Sequence, residues 1–235
     1  MELGKRQKLR VEKEKEMGVY LGEEGTDSLV LLPRKEVPAG VGLGDELEVF
    51  LYRDSEDRLI ATTAQTELEV GGLARLKVPQ VTDIGAVLGW ALVKDLFLPF
   101  KEQRGKVKPG QEVLVAMYVD KSGRLCATMN VYDYLQGNSP YQRNDRVTGT
   151  VYQVKEGLGA LVAVDNRYFG LIPEQELYVQ LKPGDMVHAR VTKVRPDGKL
   201  NLSGRKKAYA QMEEDAERVW QAVLEYGGRL PLYDH

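Results

Sequence analysis

The sequence predicts a mainly β protein, three tandem five-stranded barrels followed by a C-terminal helix. Three observations predict it. One skeleton of residues recurs three times along the chain. The apolar runs inside each copy alternate with the period of strands. After residue 207 the pattern changes to the three- and four-residue steps of a helix.

The recurring skeleton is found in "LVLLPRKEVPAGVGLGDELEVFLYRDSEDRLIATT", "DLFLPFKEQRGKVKPGQEVLVAMYVDKSGRLCATM" and "YFGLIPEQELYVQLKPGDMVHARVTKVRPDGKLNLSG". Each copy has a proline after two apolar residues (Pro33, Pro99, Pro173), then a glutamate (Glu36, Glu102, Glu176), then a glycine (Gly44, Gly110, Gly184). A β-rich run follows, then a polar turn with a basic residue (Arg58, Arg124, Lys199) and a leucine (Leu59, Leu125, Leu200). The third copy has one extra residue between its glycine and this leucine. Chance does not place three spacings in register three times. The prolines are 66 and 74 residues apart, longer than the usual solenoid unit and suited to small domains with separate cores.

Taken in order, residues 1–69 form the first unit. Its front half, "VEKEKEMGVYLGEEGTDSLVLL", is the least regular stretch, and "ELEVFLY" reads clearly as a strand. Residues 70–136 form the second. It contains the most apolar run of the chain, Ile84 to Phe100, broken only by Lys94 and Asp95. That run is shorter than the roughly 20 apolar residues of a spanning helix, and two glycines and a proline interrupt it. It reads instead as the second and third strands of a barrel, joined near Gly89 and Trp90. "EVLVAMYV" and "RLCATM" complete the unit around the hairpin turn "KSGRL". Residues 137–207 form the third, with "VTGTVYQV", "GALVAV", "YFGLIP", "MVHARVTKV" and the strand after "PDGKL". Five short strands in about 60–70 residues fit a closed barrel of the OB type. In residues 208–235, Tyr209, Met212, Ala216, Val219, Trp220 and Val223 share one helical face, and Gly227 and Gly228 stop it.

Charge separates what net charge conceals. The chain carries -2 overall. Residues 17–69 carry -8 (4 basic against 12 acidic side chains), residues 70–136 carry +3 (9 against 6), and residues 137–207 carry +5 (12 against 7). Phosphate responds to the local field, so a basic middle is compatible with a nucleic-acid partner. An enzyme is disfavoured. The only histidines, His188 and His235, lie far apart and lack a cysteine partner for zinc. Cys126 is the single cysteine and aligns with Ile60 of the first copy, which reads as a small core residue. No phosphate-cradling G-x-x-x-x-G-K-[ST] loop occurs, no carboxylate pair has a tuning context, and no cofactor is expected. The absence of an apolar leader and the lone thiol suggest a reduced, cytoplasmic setting.

The third copy resembles an S1 RNA-binding domain. The strand around Gly149 and the phrases "GALV", "GLIP", "KPGD" and "GKLNLS" carry the likeness. "GAVLGWALVKDLFLPF" with "RLCATM" resembles the second-domain signature of the conserved virulence factor B (CvfB) family. These are bacterial proteins of tandem S1-like domains with a C-terminal winged helix. The resemblance runs from about Gly18 to Gly228. It implies cytoplasmic RNA binding and post-transcriptional control of gene expression, virulence factors included. At "RLPLYDH" only the first helix of a winged helix fits, so an incomplete winged helix is expected there. The resemblance also implies two aromatic positions on strand 2, occupied here by Ile84 and Val87 in the second copy and by Leu158 and Leu161 in the third. A family histidine position near the end of strand 3 is Pro33, Pro99 and Pro173. The usual stacking set is therefore replaced.

Other aromatics lie close to that face. Pleat alternation from Val87 and Pro99 places Phe97 on it. Phe169 is expected in the corresponding place of the third copy, beside Tyr168, and Trp90 falls at the strand 2–3 turn. For each, a place in the core is the alternative. Lys101, Arg104, Lys106 and Lys108 form a basic loop. Arg124 and Lys199 open the last strands, and Lys193 and Arg195, with Arg205, Lys206 and Lys207, extend the third copy's basic area. For these the alternative is an ordinary solvated charge. The expected partner is single-stranded RNA, with no membrane. The rival is a protein-binding adaptor whose degenerate barrels have no nucleic-acid contact, with the acidic first unit as a candidate protein contact.

Overall fold

In a computed structural model, residues 1–204 are described, apart from Val93 and Tyr178. The expected helix over 208–235 and the basic residues Arg205, Lys206 and Lys207 lie outside the described residues. Among the described residues, fifteen strands form three closed barrels. The first comprises β1 (Arg6–Lys15), β2 (Gly18–Gly22), β3 (Leu29–Pro33), β4 (Glu46–Arg53) and β5 (Leu59–Thr62). The second comprises β6 (Leu73–Val81), β7 (Gly85–Gly89), β8 (Leu96–Pro99), β9 (Glu112–Val119) and β10 (Leu125–Thr128). The third comprises β11 (Arg146–Lys155), β12 (Gly159–Val164), β13 (Tyr168–Pro173), β14 (Met186–Val194) and β15 (Leu200–Ser203). In each barrel the strands run 1-2-3-5-4 and close by pairing of the first with the fourth, the order of the OB fold. The irregular front half of the first unit forms its strands as fully as the other two.

Each recurring residue has a mechanical task. The prolines sit at φ near -60° and turn the third strand into a short 3-10 turn. The glutamate inside that turn reaches the end of the fifth strand. Thr62 donates its hydroxyl to Glu36, Thr128 donates to Glu102 at 2.7 Å, and Ser203 donates to Glu176 at 2.6 Å. The glycines Gly44, Gly110 and Gly184 have φ of +89°, +83° and +98°, which a side chain would oppose. Their N–H groups donate to the carbonyls of Val11, Val78 and Val151 at 2.7–2.9 Å. The N–H of each of those valines donates in turn to the residue after the glycine. These valines lie at the bulge of the first strand, where its pairing passes between the second and fourth strands. The skeleton thus marks the points where a sheet is bent and sealed into a barrel.

Alternate residues fill the three interiors. The first packs Leu9, Val19, Leu21, Leu32, Val49 and Leu51, and the second Leu76, Leu88, Leu96, Leu98, Val115 and Met117. The third packs Val151, Val162, Val191, Leu200 and Leu202. Burial of each such side chain is worth about 1.5–3 kcal/mol. The greasy run at 84–100 is thereby accounted for. It supplies β7 and β8, and Ala86, Leu88, Leu96 and Leu98 point inward.

The barrels also touch one another. Phe50 of β4 points away from its own barrel, between the inward Val49 and Leu51, and joins the second barrel's core cluster. The linker turn Val131–Tyr134 packs Val131 with Leu114 and Ala116 of β9 and with Tyr152 and Ala163 of the third barrel.

Candidate nucleic-acid interface

On the outside of each barrel one register row crosses strands 2, 3, 5 and 4. In the second barrel it reads Val87, Phe97, Cys126, Tyr118. In the first it reads Tyr20, Leu31, Ile60, Tyr52. In the third it reads Leu161, Leu171, Asn201, Lys193. This row is the surface on which single strands stack in OB-type binders. Val87 and Phe97 are half-buried neighbours on it. The Phe97 ring lies over Gly85, where an added Cβ would come within 2.8 Å of two ring carbons.

The structure revises several sequence expectations. Trp90 is 3% exposed and packs edge-to-face on Phe50, and its indole N–H donates to the Lys94 carbonyl at 2.7 Å. It seals the junction of the first two barrels and offers no free face to a base. Leu171, not Phe169, holds the register place of Phe97, and Phe169 lies two residues earlier on the same face. Tyr168 has the opposite pleat. It packs at the end of the third core, with its ring 6.3 Å from Tyr141. Arg124 donates to Asp57 of the first barrel at 2.6 Å across that junction, with more than half of its side chain still exposed. Cys126 is 5% exposed, but it faces outward in the row between Phe97 and Tyr118 rather than into the core.

Lys101 projects from the 3-10 turn Phe100–Glu102, and Arg104, Lys106 and Lys108 follow on the loop to β9, all outside the barrel core. Lys193 is exposed at the end of the third barrel's row. Arg195 and Lys199 flank the last hairpin and lie 3.5 Å and 3.6 Å from Asp197. Their pairing is a surface one, worth little and open to competition by phosphate.

Among the described residues, two cavities lie along the junction of the second and third barrels. One, of about 510 Å3, is lined by Gln103, Arg104 and Asn130 from the second barrel side and by Tyr152 and Gln153 of β11. The other, of about 340 Å3, is lined by Tyr132, Tyr152, Lys155, Phe169, Arg195 and Lys199, with Leu158 and Leu161. Tyr152 lines both. Burial pushes its phenol up to about 12, and nearby Arg104 pulls the other way. Of the predicted residues, the structure gathers Arg104, Phe169, Arg195 and Lys199 along this track. Val87, Phe97, Lys101, Lys106, Lys108 and Lys193 are on other parts of the surface.

Sequence reasoning missed Tyr132, Tyr152 and Lys155. Tyr132 lies in "VYDYLQ", outside the repeat skeleton, so the repeat could not point to it. It also missed Tyr20, which occupies the strand-2 place held by Val87 and Leu161 and has Lys15 Nζ 5.4 Å from its ring centroid. That signal was legible, since "GVYLG" aligns with "GAVLG" once Gly18 is matched to Gly85. The first barrel, acidic as it is, has an aromatic where the other two have Val87 and Leu161.

Comparison with known proteins follows the same division. The S1 domain family matches residues 3–64 and 70–130, and the second domain of virulence regulatory factor CvfB matches residues 133–206. The second-domain likeness expected for the run at 84–100 thus falls on the third barrel. The hairpin of strands 2 and 3 has the same pattern in every copy, so a local phrase does not say which copy it is. The chain is 28% identical to the Bacillus subtilis protein YitL over 244 residues, covering all of this chain and 80% of that one. It is 24% identical to conserved virulence factor B of Staphylococcus aureus over 202 residues, covering 82% of this chain and 67% of that one. A crystal structure of a multidomain protein with nucleic acid binding domains from Streptococcus pneumoniae shares the fold. Its TM-score is 0.55 at 21% identity, over 98% of this chain and 84% of that one.

Proposed function

The chain belongs to the S1-domain family that includes virulence regulatory factor CvfB, and from that premise we propose that it binds single-stranded RNA without catalysing a reaction. In this reading it acts in the cytoplasm in post-transcriptional control of gene expression, virulence factors included. The units 1–69, 70–136 and 137–207 are its working parts. The observation that carries the reading is the convergence of aromatic and cationic side chains from two barrels. Tyr132 meets Phe169, Arg195 and Lys199 in one cavity, Arg104 lines the other, and Tyr152 lies in the wall of both. Rings there stack bases of any sequence, and the cations meet the backbone.

The second reading, a protein-binding adaptor, is favoured by one observation, the -8 charge of residues 17–69. Titration of the full chain with labelled single-stranded RNA, single-stranded DNA and duplex RNA at low and moderate salt separates the two. RNA binding that weakens steeply with salt is the expected outcome. No measurable binding at low salt would leave the adaptor.

A further inference from the structure

We propose that Tyr132, on the linker between the second and third barrels, is the stacking residue of the third barrel's cleft. The 340 Å3 cavity it lines then receives one unpaired nucleotide. This rests on the nucleic-acid reading and says where, and by what, one base is held. The cavity is within the size range of small-ligand sites.

The third barrel lacks rings at its own strand-2 positions. Leu158, just before β12, and Leu161, on it, stand where the S1 resemblance implies rings, and both line this cavity. The linker brings a ring to the same place from outside the barrel. Tyr132 is 47% exposed, so part of it is open to a ligand. Its position is nonetheless fixed. Val131, 1% exposed, is locked between the two barrels, and the Leu135 N–H donates to the Tyr132 carbonyl at 3.2 Å. Next along, Gln136 pairs with β13. Its N–H donates to the Arg167 carbonyl at 2.7 Å, and its carbonyl accepts from Phe169 N–H at 3.2 Å.

The Tyr132 ring lies 4.9 Å from Phe169, tilted at 59°. Lys199 Nζ lies 4.7 Å from the Phe169 centroid and 5.6 Å from that of Tyr132, and donates to the Tyr132 hydroxyl at 3.3 Å. A ring held in place before binding stacks a base with little ordering cost. Lys155, Arg195 and Lys199 line the same cavity, and Asp197 is within 4 Å of two of them. The surplus of positive charge suits the phosphate attached to that base. Aromatic and aliphatic walls beside cations are the chemistry of a nucleotide, not of an acidic peptide alone.

The test compares the full chain with Tyr132→Ala and Tyr132→Phe, using a short fluorescein-labelled oligoadenylate. Loss of one stacked base predicts a weakening by Tyr132→Ala of about 10-fold or more. Tyr132→Phe keeps the ring and restores most of the affinity. The slope of affinity against salt stays unchanged in both, because no charge is removed. Photocrosslinking of a bromouridine-containing oligonucleotide to the unaltered chain supplies a readout that does not depend on the variant's folding. The adduct is expected on the peptide bearing Tyr132. If the unaltered chain binds but Tyr132→Ala binds equally well, or the adduct maps elsewhere, this proposal is overturned while RNA binding stands. If the unaltered chain does not bind at low salt, the nucleic-acid reading itself fails.

Discussion

Phe50 of β4 and Trp90 of the β7–β8 loop meet edge-to-face, ring centroids 5.7 Å apart and planes at 74°. One residue comes from each of the first two barrels, and both are buried. Around them the hairpins interlock. Arg53 donates to the Gly123 carbonyl at 3.0 Å, Lys94 to the Asp54 carbonyl at 2.6 Å, and Arg124 to Asp57. An aromatic that the sequence offers as a stacking platform is instead a rivet between domains.

Removing that rivet should be felt as stability, not as lost binding. Trp90→Ala is expected to cost about 3–5 kcal/mol, as for other large aromatics cut from a packed site. Denaturant unfolding followed by circular dichroism measures it. RNA affinity of the folded protein should stay at the unaltered value. A fall in affinity with an unchanged unfolding midpoint would return Trp90 to the binding surface.

The same junction should respond to acid. The Arg124 hydrogen bond holds the Asp57 carboxyl below its ordinary 3.8. A carboxyl depressed in the folded state adds stability above its unfolded pKa, and that contribution is lost as pH falls through the folded value. The pair is exposed, so only a small loss of stability is expected below about pH 4. In Asp57→Asn this component of the pH dependence should vanish. Urea midpoints measured from pH 6 down to about pH 3 in both proteins make the comparison.

Cys126 should be a slow thiol. Burial first, then the neighbouring Asp120 carboxylate, pushes it up to about 11 from an ordinary 9.0. The thiolate is the reactive form, and a rise of that size lowers its population near neutral pH by about 100-fold. Labelling with a thiol reagent should be slow in the native protein and rapid in urea. Equal rates in the two states would place the thiol in the open.

The loop cations remain the simplest electrostatic test. Lys101→Ala, Arg104→Ala and Lys106→Ala together should weaken RNA binding. Each cation that meets a phosphate should also flatten the plot of log affinity against log salt by about 0.7. An unchanged slope would leave phosphate contact to Lys155, Arg195 and Lys199 at the cleft.

Much of each barrel was legible because its signals are local. Pro99 ends a strand, Gly110 takes a positive φ, and Glu102 lies one turn from the proline. Such residues recur wherever the same bend recurs. The outer face was half legible. Alternation turned Phe97 outward, and the matched prolines Pro99 and Pro173 already carried the register that puts Leu171, not Phe169, in its place, a count that pleat alone does not supply. Arg124 and Lys199 occupy the same place in the repeat and have different partners. One finds Asp57 on a neighbouring barrel, and the other finds Tyr132 on a linker.

The sequence by itself determined the three five-stranded barrels and the basic character of the second and third. Turn chemistry, two-residue alternation and local charge are properties of a short stretch of chain. Only the tertiary structure decided which outward residues stay free. Trp90 is covered and Tyr132 is presented because of how one closed barrel docks on the next. That docking depends on the shapes of two assembled surfaces, which no periodicity within either of them encodes.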